Sequence, residues 1–362
     1  VADESYIQLT LELAKRGIGK VSPNPLVGCV ITKNNKIIGA GFHTKYGDDH
    51  AEINAINSVQ ETLEGSTLYV NLEPCTHYGN TPPCVDRIIK EKIKRVVIGT
   101  LDVNPLVNGK SIKKLKDAGI DVKAGLLEKE CIELNNFFFK FISKKLPYVT
   151  LKAAATLDGK IADVNSNSEW ISSSDSRKYV HSLRNKFDAV LIGANTALID
   201  NPQLTVRHID GRNPWRIILD SKLSLPINLK LFQKNFDKRT FLVISENGLK
   251  KKRKLRELEK LGVKIITVKK QVNNKTDLKF LLKELAKLNI TSVLVEGGSK
   301  IFTSFIKQKL FDDLLVFISP KLIGDGVPVI QNIGINSIKD AINLKLKSCD
   351  VIGDDIVAEY VL

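Results

Sequence analysis

Apolar positions follow two rhythms along this chain. Tyr6, Leu9 and Leu13 recur at helical spacing up to Gly17, and Asp3 stands where it could cap that helix. Ser22-Pro23-Asn24-Pro25 then forms a proline-locked loop. Val27–Ile31 and Ile37–Phe42 are short apolar runs joined at Asn34-Asn35, which predicts a hairpin. Helices are predicted over Asp49–Val59, Val85–Lys92 and Lys110–Ala118, alternating with strands at Thr67–Leu72, Arg95–Thr100 and Asp121–Ala124. Strands that alternate with helices predict a layered α/β sheet.

Charge rises around Lys144-Lys145-Leu146-Pro147, and a second α/β series begins there. Its predicted strands are Tyr148–Thr156, Asp188–Gly193, Arg216–Asp220, Thr240–Ser245, Lys264–Val268, Ser292–Glu296, Leu314–Ile318 and Ile356–Val361. Helices are predicted over Ser174–Asn185, Asp277–Leu288 and Ser299–Lys309. No internal repeat is visible, so the reading is two different domains, 1–145 and 146–362.

The length of 362 residues accommodates two domains, and 43% hydrophobic with 26% charged residues is ordinary for a globular protein. Five scattered cysteines cannot make a disulfide framework, and Cys29, Cys131 and Cys349 read as core residues. Asp3 and Glu4 replace a basic leader, and no run of 18 apolar residues occurs, so the expectation is a cytoplasmic protein with no membrane partner. There is no methionine, so Val1 is not expected to be the translated start. The net charge of +15 suits anionic partners, either nucleic acid or phosphorylated small molecules. The densest basic run, Lys250–Arg256, reads as a solvated helix face.

Candidate chemistry gathers first around His50-Ala51-Glu52. The strand Thr67–Leu72 leads into Glu73-Pro74-Cys75, and Cys84 follows after eight residues. One imidazole and two thiolates are ligands of the kind zinc prefers, with a fourth position left open. Such an ion makes water ionisable near neutrality. Glu52, two residues beyond the histidine, can approach that water without binding the metal, then pass its proton to a ring nitrogen and a leaving amine. His-Ala-Glu alone is common on helix surfaces, and two cysteines alone are common in cores. The three in this order are the signature of zinc nucleobase deaminases. A structural zinc site would require a fourth protein ligand, for which His77 is a candidate.

The second half has no G-x-G-x-x-G after its first strand. It has Val295-Glu296-Gly297-Gly298-Ser299 instead, two glycines where a strand turns into a helix whose N-terminus suits a phosphate. Lys152-Ala153-Ala154-Ala155-Thr156, Ser168-Glu169-Trp170-Ile171 and Gly193–Arg207 surround it in sequence. Arg184 and Arg207 offer guanidinium forks for a ribose phosphate. Lys152 and Asp200 are candidates for delivering a proton. Trp170 could equally be core packing.

These segments resemble one family over nearly the whole chain, the bifunctional riboflavin-biosynthesis RibD proteins, in which a pyrimidine deaminase is fused to a pyrimidine reductase. The resemblance rests on Pro23–Gly28, Gly41-Phe42-His43, His50-Ala51-Glu52, Leu72–Cys75 through Thr81–Cys84, and Asp102–Pro105, together with the reductase segments above. It implies a cytidine-deaminase-like α/β/α domain followed by a dihydrofolate-reductase-like α/β domain. By it, His50, Cys75 and Cys84 hold zinc, Glu52 shuttles protons, and Asn24, His43, Asp102 and Asn104 touch substrate. Asn80 stands where many relatives carry a basic residue for the substrate phosphate. In the second domain Ala154, Trp170, Thr196, Asp200 and Ser221 would bind NADPH, with the turn Gly298, Ser299, Lys300, Ile301, Phe302, Thr303 and Ser304. Ser168, Arg184, Leu204, Arg207 and Glu296 would hold substrate.

The resemblance implies zinc-dependent deamination of 2,5-diamino-6-ribosylamino-4(3H)-pyrimidinone 5′-phosphate, then NADPH-dependent reduction to 5-amino-6-ribitylaminouracil 5′-phosphate. A homo-oligomer, dimer or tetramer, is expected, and no nucleic acid partner. Two rivals remain at this stage. One is a tRNA or nucleoside deaminase with an accessory nucleic-acid-binding domain, supported by the +15 charge. The other is a nucleic-acid-binding module with structural zinc.

Overall fold

In a computed structural model, which describes residues 2–79, 81–268 and 276–362, the chain divides into two compact units, Val1–Leu146 and Pro147–Leu362. Asn80 lies outside the described residues.

The first unit runs α1 (Asp3–Lys15), β1 (Gly28–Lys33), β2 (Lys36–Phe42), α2 (Ala51–Asn57), β3 (Thr67–Leu72), α3 (Cys84–Lys90), β4 (Arg95–Thr100), α4 (Lys110–Asp117), β5 (Asp121–Ala124), α5 (Glu128–Leu134) and α6 (Asn136–Lys144). Its strands order as β2-β1-β3-β4-β5. β1 is antiparallel to β2 and β3, whereas β3, β4 and β5 are parallel. Alternation along each strand feeds two cores. Cys29, Ile31, Leu68, Val70, Val96 and Ile98 pack on one face with Ala51, Ala55, Val85, Ile88 and Leu115 of α2, α3 and α4. Val30, Tyr69 and Val97 pack on the other with Ile7 and Leu11 of α1 and Cys131 of α5. The sheet is therefore the middle layer of three.

Two local features position the site. A Cβ at Gly41 would stand 2.4 Å from the Ala55 amide nitrogen, so only glycine lets α2 lie this close on β2. The predicted cap of α1 is corrected: Ala2 is the N-cap and makes no side-chain bond. The Asp3 carboxylate is engaged elsewhere, by Arg95 at 2.9 and 3.0 Å, Lys123 at 3.0 Å and the Tyr69 hydroxyl at 3.1 Å. Those cations hold its carboxyl down to about 2.

The second unit runs β6 (Tyr148–Thr156), β7 (Lys160–Ala162), α7 (Ser174–Lys186), β8 (Ala189–Gly193), α8 (Ala194–Asp200), β9 (Trp215–Leu219), α9 (Lys230–Gln233), β10 (Thr240–Ser245), α10 (Lys252–Lys260), β11 (Val263–Val268), α11 (Leu278–Lys287), β12 (Ser292–Val295), α12 (Ser299–Lys307), β13 (Asp313–Ser319), β14 (Val327–Pro328), β15 (Lys345–Ile352) and β16 (Asp355–Val361). Among the described residues its main sheet orders as β11-β10-β9-β8-β12-β6-β13-β16-β15. The strands from β11 to β13 are parallel, and β16 and β15 close the edge antiparallel. β12 inserts between β8 and β6, so the carboxyl ends of these three strands form the crevice where open α/β sheets bind ligands. Cys349, expected in the core, is exposed on the edge strand β15.

No helix among the described residues is long and apolar enough to cross a membrane.

Candidate zinc centre and reductase cleft

His50 is the N-cap of α2, with extended backbone, and its ring turns toward the loop after β3. Its Nδ1 lies 3.6 Å from Cys75 Sγ and 3.3 Å from Cys84 Sγ. All three ligand atoms fall within 4.8 Å of one another. Zinc with bonds of about 2.0 Å to nitrogen and about 2.3 Å to sulfur sets tetrahedral N and S ligands about 3.6 Å apart, so the trio fits that ion. The Cys84 amide donates to Cys75 Sγ at 3.3 Å, which favours a thiolate there. Hydrogen bonds from Cys84 and His50 hold Cys75 down to about 4, and the same contact with Cys75 lifts His50 to about 9. His77 is not part of the trio, and its Nδ1 is buried with no hydrogen-bond partner among the described residues.

Glu52 is 3% exposed on the first turn of α2 and hydrogen-bonds Cys84; burial raises its carboxyl. His43 Nδ1 donates to the Asp49 carbonyl at 3.0 Å, which leaves Nε2 to accept from Asn24 Nδ2 at 3.1 Å. Burial lowers His43, so this tautomer is the neutral one. The His43 and His50 rings meet edge to face at 5.3 Å. Asp102 and Asn104 follow β4. Asp102 Oδ1 accepts from the Asn104 amide at 2.7 Å, and Asn104 Oδ1 accepts from the Leu106 amide at 3.1 Å. Burial pushes the Asp102 carboxyl up to about 6.

Glu73 is the residue here that sequence reading passed over. It is 3% exposed, and its carboxylate accepts from the amides of Asp102, Gly109 and Ser111 and from the Ser111 hydroxyl. A charged residue directly before Pro74-Cys75 at the end of an apolar strand was the available signal.

In the second unit a cleft of about 660 Å³ opens at the ends of β6, β8 and β12. Lys152, Ala154, Ser168, Trp170, Arg184, Thr196, Asp200, Glu296 and the run Gly298–Phe302 line it. Lys152 and Ala154 sit two residues apart on one face of β6. Arg184 and Glu296 form a two-pronged ion pair, 2.7 Å on both arms, with side chains 12% and 9% exposed. Burial lowers Lys152, opposed by Glu296 and assisted by Arg184. Arg184 also keeps Glu296 ionised against its burial. Asp200 is raised by burial and by Glu169. Lys152 and Asp200 thus share the cleft but answer to different charges.

Gly297 and Gly298 have φ of +107° and +84°, and Gly298 is the N-cap of α12. A Cβ on Gly298 would stand 3.0 Å from Thr196 Oγ1. Ser299 Oγ is buried at this helix N-terminus with no partner among the described residues. A turn of two glycines, a buried hydroxyl and a helix N-terminus fit the phosphates of a dinucleotide. Trp170, read as either core or cofactor contact, is 60% exposed and stacks with the Arg177 guanidinium at 4.4 Å. Arg177 also lines the cleft; it lies two helical turns before Arg184, a spacing that could have revealed it.

Five candidates are outside this lining. Leu204 is buried, and Arg207 bonds Thr205 Oγ1 at 2.9 Å. The Ser221 hydroxyl meets Thr276 at 3.0 Å. The Thr303 and Ser304 hydroxyls donate to carbonyls four residues back in α12, at 2.7 and 2.8 Å.

Fold and donor chemistry define the class: a cytidine-deaminase-type zinc domain and a dihydrofolate-reductase-like reductase domain in one chain. Residues 1–100 match the family model described as the cytidine and deoxycytidylate deaminase zinc-binding region, and residues 147–358 match the RibD C-terminal domain. The riboflavin biosynthesis protein RibD of Aquifex aeolicus is 45% identical over 98% of this chain and 97% of its own. That of Actinobacillus pleuropneumoniae is 41% identical over 100% and 96%. The crystal structure of a diaminohydroxyphosphoribosylaminopyrimidine deaminase/5-amino-6-(5-phosphoribosylamino)uracil reductase from Thermotoga maritima superposes with a TM-score of 0.87 at 39% identity, covering 99% of this chain and 98% of that one. Acinetobacter baumannii RibD gives 0.90 at 35% identity, with the same coverage. The chain belongs to the RibD family.

Proposed function

We infer that this chain performs two consecutive steps of riboflavin biosynthesis. Residues 1–145 deaminate 2,5-diamino-6-ribosylamino-4(3H)-pyrimidinone 5′-phosphate, and residues 146–362 reduce the ribosyl chain of the product to ribityl. The observation that carries this reading is the convergence of His50, Cys75 and Cys84 beside buried Glu52, on a chain whose other unit holds a cleft of about 660 Å³ at a glycine turn and helix N-terminus.

In the first unit His50, Cys75 and Cys84 would hold zinc, which supplies a Lewis acid that makes water acidic enough to react at neutral pH. Glu52 takes one proton from water and passes it to the ring nitrogen, then carries the second proton, from the hydroxyl added to carbon, to the amine as ammonia leaves. Asn24 and His43 orient the ring; burial keeps His43 neutral, and the Asp49 carbonyl and Asn24 fix its tautomer. Asp102 and Asn104 hold the other side of the substrate.

In the second unit Ala154, Trp170, Thr196, Asp200, Ser221 and the Gly298–Ser304 turn would hold NADPH, which supplies hydride. Ser168, Arg184, Leu204, Arg207 and Glu296 hold the substrate, its phosphate toward guanidinium groups. Lys152, a buried lysine whose charge is discouraged, donates the proton that accompanies reduction, with Asp200 the other candidate. The small phosphorylated substrate fits the +15 charge without nucleic acid. A deaminase with an accessory nucleic-acid-binding domain loses its support because residues 147–358 match the reductase family. A cytoplasmic homo-oligomer completes the proposal.

NADPH oxidation is followed with the diaminopyrimidine ribosyl phosphate as sole substrate, with and without a zinc chelator. Chelator-sensitive oxidation is expected, because the reductase must await the deaminated product. The chelator should leave reduction of already deaminated substrate untouched. Oxidation that ignores the chelator would refute the order of steps.

A further inference from the structure

We propose that Glu73 is a positioning residue for deamination, which locks the loop bearing Asp102 and Asn104 to the strand end that carries Cys75. This rests on the deaminase reading of the first unit. Glu73 Oε2 accepts from the Asp102 amide at 3.1 Å and the Gly109 amide at 3.0 Å. Glu73 Oε1 accepts from the Ser111 amide at 3.2 Å and the Ser111 hydroxyl at 2.7 Å. All four donors belong to the segment between Asp102 and the first turn of α4, far away in sequence. The Glu73 amide adds a bond to the Thr100 carbonyl at 2.9 Å.

Cys75 is bracketed by these ties. Two residues before it stands Glu73, and one residue after it the Thr76 hydroxyl donates to the Leu106 carbonyl at 3.2 Å. Order then passes along the loop: Glu73 fixes the Asp102 amide, Asp102 Oδ1 fixes the Asn104 amide, and Asn104 Oδ1 fixes the Leu106 amide. The Glu73 carboxylate also stands at the N-terminus of α4, whose N-cap Gly109 has no side chain to cap with. A carboxylate is favoured there by the helix dipole and by the free amides.

Only a carboxylate meets the demand, since both oxygens must accept twice. An amide at this position turns one accepting oxygen into a donor facing two donors. The loop then shifts, and the side chains of Asp102 and Asn104 leave their places while His50, Cys75 and Cys84 keep theirs. Substrate affinity is what suffers.

The test uses the full zinc-loaded chain, Glu73→Gln and Ser111→Ala. Ammonia release gives KM and kcat, zinc content is measured on the same samples, and reduction of deaminated substrate reports the second unit. For Glu73→Gln, KM should rise at least tenfold, equivalent to about 1.4 kcal/mol, with a smaller change in kcat, one zinc per chain and normal reduction. Ser111→Ala, which removes one of four bonds, should raise KM about threefold. If Glu73→Gln does not fold, Ser111→Ala decides. An unchanged KM in the folded variants, or losses that follow zinc content, overturns the proposal. Failure of the wild-type chain to release ammonia at all would instead overturn the deaminase reading on which it stands.

Discussion

The Arg184–Glu296 pair makes a prediction with a built-in asymmetry. Glu296 faces two cations, because Arg184 grips it directly and Lys152 feels its charge. Arg184 faces one carboxylate. Glu296→Gln therefore leaves Arg184 without a carboxylate and Lys152 with Asp355 as its remaining one, in a buried cleft. Removing one member of a buried pair costs about 3–5 kcal/mol, and the upper part of that range is expected here. Arg184→Gln leaves Glu296 with Lys152 as a counter-ion and removes a repulsion from Lys152. Its cost should be nearer about 2 kcal/mol. Both tryptophans, Trp170 and Trp215, lie in the second unit. Their fluorescence in a urea titration reports that unit alone, and the two variants can be ranked against wild type in one assay. Both should lose NADPH oxidation with deaminated substrate, while ammonia release at the zinc site persists. If Arg184→Gln costs as much stability as Glu296→Gln, Lys152 does not compensate Glu296 and the charge assignment in the cleft is wrong.

Two further outcomes follow from the second unit. His181 is buried on α7, accepts the Arg207 amide on Nδ1 at 3.2 Å, and is lowered to about 4 by burial and then by Arg184, Arg207 and His208. Its folded value lies below the ordinary 6.5, so the unfolded chain binds the extra proton first. Its contribution to stability is complete above pH 6.5 and is lost as pH falls toward 4. Tryptophan-monitored stability should fall through that window, and less steeply in His181→Gln; equal slopes would disprove the assignment. Gly298→Ala places a methyl at φ +84° and 3.0 Å from Thr196 Oγ1. Strain of about 1 kcal/mol should raise the KM for NADPH about fivefold, and steady-state kinetics showing no change would remove this turn from the cofactor site.

Elements with one strong period were legible in the sequence. The β3 and β4 strands carry the short apolar runs Leu68–Val70 and Val96–Ile98, and α1 and α11 show regular helical spacing. The α6 helix was not read because Phe137-Phe138-Phe139 puts three apolar residues in a row, which fits neither period. The edge strand β15 is largely exposed on both faces, so it has no alternation to detect. The α8 helix carries Asn195 and Thr196, weak helix formers, in its first turn, and its residues read as a ligand-binding run instead. The convergence of His50, Cys75 and Cys84 was legible because their chemistry and order constrain each other. Glu73 was not, since what distinguishes it is four donors that only folding brings to it. Arg177 was missed for a similar reason, its partner Trp170 being on a loop.

The division into two compact units, with His50, Cys75 and Cys84 all in one and the cleft all in the other, has a consequence for supply and demand. Separately encoded enzymes for successive reactions drift in abundance with transcription, translation and turnover. On one polypeptide the number of deaminating sites equals the number of reducing sites at every level of expression. Halving synthesis of the chain halves both capacities together. A surplus of deaminated product can then arise only from a difference in turnover rate between the sites, so balancing the flux falls to the catalytic constants rather than to gene dosage.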